Sequence, residues 1–118
     1  MRKIKVYVSG KISGQVDIAR VLFETVEHEL YQEAKNRGIK IKVINPFKIK
    51  HKTETWFDCM VSDVKELKKS DVMFLLPQSE GSFGVKVELE ITTEYKIPVF
   101  ENEGLLFEYL CGKEKKIK

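Results

Sequence analysis

The sequence predicts an α/β protein: a doubly wound parallel sheet of about four to five strands, flanked by helices. Three observations predict it. Short runs rich in β-branched and apolar residues alternate with longer segments of helical period, the signature of βαβ units. Glycine or proline stands at the joints: Gly38 after the first helical segment, Pro46 after the second strand, Pro77 after the third. The chain has 118 residues, long enough for one core and too short for two. Residues 1–112 are therefore expected to form a single domain, with residues 113–118 a basic flexible tail.

The elements follow in order. Lys3–Val8 (KIKVYV) reads as the first strand, and it ends in the glycine-flanked turn Ser9–Gly14. That turn has neither the spacing of a P-loop nor that of a dinucleotide fingerprint. Residues 16–37 form the longest helical pattern. Ala19, Leu22, Phe23, Val26, Leu30 and Ala34 lie on one side, with Gly38 as the stop. Ile39–Ile44 is the second strand, closed by Asn45-Pro46, and residues 47–53 are a basic loop. Thr53 is placed to cap a helix running to about Lys69. Its apolar side gathers Trp56, Phe57, Met60, Val61, Val64 and Leu67, with Asp63 at the edge. A strand at 71–76, a helix at 82–95, a short strand at 97–100 and a helix over 103–111 complete the chain.

The helix at 82–95 carries the most informative residue. At about 100° per residue, Gly84, Val85, Leu89, Ile91, Thr92 and Tyr95 gather on one side, and Lys86, Glu90 and Glu94 on the other. Glu88 falls within the apolar group, one turn beyond Gly84, whose missing side chain leaves room. A carboxylate aimed inward just past a strand–loop–helix turn is costly unless paired or used. A doubly wound sheet binds ligands outside the carboxyl ends of its strands. That edge is expected to collect Ser9, Gly10, Asn45, the 77–84 loop, Glu101 and Asn102.

Composition narrows the classes. Apolar residues make up 42% and charged residues 33%, as in an ordinary globular chain. Four lysines and one glutamate among the last six residues account for the whole net charge of +3. The rest is balanced, so no nucleic-acid polymer is expected as a partner. No apolar run has the length of a membrane span and no signal-peptide core opens the chain, so no membrane association is expected. Cys59 and Cys111 stand far apart, pointing to a reduced, cytoplasmic protein without a metal site. His28 and His51 read as surface residues, because neither belongs to a recognisable metal or triad pattern. An inward glutamate, a second acid and glycine-lined loops suit chemistry at a sugar carbon, where a carboxylate attacks an anomeric centre. From spacing alone this is one option among several.

Four blocks, in order, resemble the nucleoside 2-deoxyribosyltransferase superfamily, including the deoxynucleoside monophosphate N-glycosidases and a small phage and bacterial branch of unassigned function. They are VYVSG-KISG (Val6–Gly14), VINP (Val43–Pro46), DVKELKKSD (Asp63–Asp71) and SFGVKVE (Ser82–Glu88). The resemblance spans roughly residues 3–100. It implies a flavodoxin-like, Rossmann-like fold that cleaves or transfers a 2′-deoxyribosyl N-glycosidic bond without a cofactor. Glu88 would be the nucleophile, Tyr7 its hydrogen-bonding partner and Asp63 the proton donor near the departing base. Ser9, Gly10, Asn45, Ser82 and Gly84 would line the substrate site. Members of that superfamily with an aspartate at the position of Ser82 often exchange free bases, whereas the monophosphate hydrolases carry serine, which favours a 5′-phosphorylated substrate. The resemblance also implies a homo-oligomer, a dimer or larger, to which Trp56 and Phe57 would contribute if exposed. The alternative is a module of the same fold that binds a nucleotide-like ligand without turnover.

Overall fold

The computed structural model describes residues 3–77 and 79–117, with side chains up to Gly112. Four strands, β1 (Ile4–Ser9), β2 (Ile41–Ile44), β3 (Val72–Leu75) and β4 (Val99–Phe100), form one sheet in the order β2-β1-β3-β4. Every pairing is parallel, with Tyr7 opposite Ile44 on one side and Met73 on the other. Helices α1 (Val16–Asn36), α2 (Trp56–Lys68), α3 (Phe83–Tyr95) and α4 (Glu103–Ile117) flank it. This is the predicted doubly wound architecture, with four strands.

The two faces of β1 separate by parity. Ile4, Val6 and Val8 pack with Phe23 and Leu30 of α1 and Leu106, Phe107 and Leu110 of α4. Tyr7 points the other way, into a cluster with Ile44, Leu67, Met73 and Ile97 beside α2 and α3. The chain leaves β1 for β2 on one side and then crosses back to β3 on the other. The carboxyl ends of β1 and β3 are therefore where the strand order reverses, and a crevice opens there.

Two boundaries differ from expectation, each for a local reason. The cap of α2 is Thr55 rather than Thr53: its hydroxyl accepts from Asp58 N at 3.3 Å, while Thr53 Oγ1 accepts from Thr55 N at 3.2 Å. Helix α4 continues past Cys111, so the backbone of residues 113–117 is helical, in keeping with the helix-favouring lysines and glutamate there. Lys118, the end of the expected tail, lies outside the described residues, as does Gln78 of the 77–84 loop. Most of the apolar side of α2 is not buried: Trp56 is 46% exposed and Phe57 68%. Only Leu67 of that helix is fully interior. No described helix is long and apolar enough to cross a membrane.

Candidate active site

Period two places Tyr7 and Ser9 on the same face of β1, at its carboxyl end. Helix α3 starts at the neighbouring strand end, and Ser82 caps it by accepting from Val85 N at 3.3 Å. The phase set by that cap turns Glu88 inward, where it is 5% exposed. Tyr7 Oη donates a short hydrogen bond to Glu88 Oε2, and Ser9 Oγ donates to Oε1 at 2.7 Å. Both hydroxyls are themselves fully enclosed. The carboxylate is thus held from behind by β1, and each oxygen keeps a lone pair.

Burial pushes the Glu88 carboxyl up from its ordinary 4.5 to about 7. The Tyr7 and Ser9 hydrogen bonds pull it down, and the charge of Asp63 adds a smaller upward push. The Tyr7 hydroxyl is driven well above its ordinary value by burial, then by Glu88 and Asp63, so it stays a donor. Burial also raises the Asp63 carboxyl, against an opposing pull from His51. Two acids with raised affinity for protons therefore share one site, in different hydrogen-bond surroundings.

In front of Glu88 lies a cleft of about 820 Å³. Asp63 and His51 form part of its wall, Gly10, Ser13 and Arg20 stand at the β1 side, and Ser82 and Gly84 at the α3 side. Trp56 stands at the mouth with its ring 5.6 Å from that of Phe83. The Arg20 guanidinium sits 4.8 Å above the Phe47 ring. Among the described residues, no group of three or more His, Cys, Asp or Glu side chains is placed to hold a metal ion.

Seven of the eight expected site residues meet here: Glu88, Tyr7 and Ser9 in one bonded cluster, and Asp63, Gly10, Ser82 and Gly84 on the cleft wall. Asn45 does not line the cleft. It is 3% exposed, accepts from Phe47 N to start a 3-10 turn (Pro46–Lys48) and donates to Glu27 Oε1, which leaves it a structural role. Asn102 likewise caps α4, accepting from Leu105 N at 2.9 Å. Gly10 is also closely packed. A Cβ there would meet Leu76 Cδ1 at 3.0 Å and Phe23 Cζ at 3.1 Å.

His51 corrects the surface reading. Its Nε2 lies 3.0 Å from Asp63 Oδ1, and both side chains are mostly enclosed, at 22% and 13% exposure. The two are joined across a loop, whose contacts follow no period, so spacing carried no signal of the pair. His28 is exposed, as expected.

A family model described as a domain of unknown function, DUF4406, matches residues 4–101, from the first residue of β1 past the end of β4. No curated protein and no solved structure matches the chain.

Proposed function

The chain belongs to the DUF4406 family, and we propose that it cleaves or transfers the 2′-deoxyribosyl N-glycosidic bond of a deoxynucleoside or its 5′-monophosphate, with Glu88 as nucleophile. One observation carries this reading. A buried glutamate is gripped from behind by two hydroxyls and opens onto a cleft that has a second acid in its wall.

In this reading the steps are these. A Glu88 oxygen attacks C1′ of the sugar, the bond to the base breaks, and its electron pair leaves with the base. Asp63, whose carboxyl favours its proton more than an exposed aspartate does, supplies the proton that the base nitrogen needs. The product is a deoxyribosyl ester on Glu88. Water or a second base then attacks C1′ and gives up its proton to Asp63, and Glu88 departs as the carboxylate. The Tyr7 and Ser9 hydroxyls stabilise Glu88 whenever it carries charge, before attack and after release. Ser82, at the positive end of α3, and Arg20 both line the cleft and would receive a 5′-phosphate in this reading.

A receptor without turnover is the second reading. It is favoured by a Glu88 lifted to about 7, because a large share of molecules then hold a neutral carboxyl at neutral pH. The test is chromatography of the purified protein with each deoxynucleoside and each 5′-monophosphate, with and without a second free base. Base release or exchange is expected with at least one substrate, falling by roughly 10³-fold or more in Glu88→Ala. Binding by calorimetry without release, retained in Glu88→Gln, would establish the receptor instead.

A further inference from the structure

The two acids of the cleft need opposite protonation states before the bond breaks, and their neighbours differ accordingly. Glu88 accepts from two hydroxyls, an arrangement that suits a carboxylate. Asp63 has another kind of neighbour. Its electrostatic surroundings include Glu88 from α3, Tyr7 from β1 and Cys59 one turn earlier on α2. None of these brings a positive charge. Its hydrogen-bonded partner among the described residues is the His51 ring, from the segment between the 3-10 turn and α2. At 22% exposure that ring touches solvent as well as Asp63, and its Nδ1 has no protein partner among the described residues. An imidazole between water and a buried acid is the side chain best suited to exchange protons near neutral pH.

We propose that His51 is a proton relay and positioning residue: it fixes Asp63 against the cleft and replaces the proton that Asp63 hands to the departing base. The proposal rests on the glycosidase reading of the same site. In the first half-reaction the N-glycosidic electron pair moves to the base nitrogen, which takes the proton from the Asp63 carboxyl. The resulting Asp63 carboxylate accepts from His51 Nε2–H, and Nδ1 exchanges with solvent. In the second half-reaction Asp63 first returns that proton to solvent through His51 and then, as the carboxylate, takes the proton of the water that attacks C1′. Over the cycle one water is consumed, one base is released and the pair returns to its starting state. His51 acts through Asp63 and does not touch the reacting carbon.

A relay and a merely structural histidine differ in how they respond to the leaving group. A base that departs readily as an anion needs less proton donation, so the relay matters less for it. The experiment compares wild type, His51→Gln and Glu88→Ala on a deoxynucleoside that the wild type hydrolyses and on its ring-fluorinated counterpart, whose base is a better leaving group. Gln fills similar space and still bonds Asp63, but cannot exchange a proton, and matched thermal melting confirms the fold. The expected result is a kcat loss of about 10²-fold in His51→Gln on the parent substrate, within the range of general acid catalysis, with KM nearly unchanged. On the fluorinated substrate the loss shrinks to roughly tenfold or less. Glu88→Ala is inactive on both. Equal losses on the two substrates, or no loss on either, overturn the relay and leave the glycosidase reading intact. If wild type and Glu88→Ala are alike inert, the glycosidase reading fails and the relay falls with it.

Discussion

Tyr7 and Ser9 decide how much of Glu88 is available as an anion. Burial alone drives the carboxyl toward its neutral form, and the two hydroxyls pull it back to about 7. Removing one of them therefore has a definite sign. Tyr7→Phe deletes a hydroxyl and almost no volume, so the packing against Leu67 and Met73 persists while Glu88 loses a donor. The Glu88 pKa should then rise above its present value. In the pH profile of kcat/KM, the acid limb should move to higher pH, and activity at pH 6 should fall more than activity at pH 8.5. A limb that stays in place would mean that Tyr7 does not tune the nucleophile.

At the scale of elements, two glycines on the same cleft predict opposite outcomes. Gly10 ends the β1 turn against Leu76 and Phe23, where an added methyl comes within 3.0–3.1 Å of both side chains. Gly10→Ala should lower stability by about 1–3 kcal/mol through overpacking, measured by urea unfolding. Gly84 lies in the first turn of α3, and a Cβ there meets Met60 Sδ at an ordinary 3.6 Å. Gly84→Ala should be neutral or stabilising by up to ~1 kcal/mol, because alanine is the better helix former. Its methyl would take cleft space beside the substrate, so KM should rise. The elements also show what a sequence makes legible. Strand parity put Tyr7 inward and helical phase did the same for Glu88, since both follow from a fixed period. The pair His51–Asp63 follows from no period, because one member sits on an irregular segment. Thr53 and Thr55 are equally good caps by type, and only the path of the loop chose Thr55. Helix α3 ends at Lys96 in the left-handed region (φ 56°), without the glycine that normally announces such a stop. Asn45 lies off the cleft, because an asparagine at a strand end serves a turn as readily as a ligand.

For the molecule as a whole, the nucleophile is a stability cost that depends on pH. Glu88 titrates near 4.5 when unfolded and near 7 when folded. Below 4.5 both states hold the proton and nothing is lost. Between these values the unfolded chain releases its proton first, so stability falls as pH rises, and above 7 the full loss applies. Its size is about 3 kcal/mol. Glu88→Gln removes the titration, and the Gln amide can still accept from Tyr7 and donate to Ser9 Oγ. The variant should melt like wild type near pH 4 and gain stability over it progressively to pH 8, as read by calorimetry. A gap that does not widen with pH would contradict an acid whose burial outweighs its two hydrogen bonds. Elsewhere the fold is well satisfied: every buried side-chain nitrogen and oxygen among the described residues has a partner. The pH-dependent cost therefore sits at the crevice between the ends of β1 and β3. The ring that stands at the mouth of that crevice is the single tryptophan of the chain, Trp56, half in solvent and beside Phe83. All indole emission therefore originates at the doorway of the cleft. A guest that enters will change the colour or brightness of that light, whether or not it is then broken, so the molecule carries an optical gauge of filling that is independent of any chemistry.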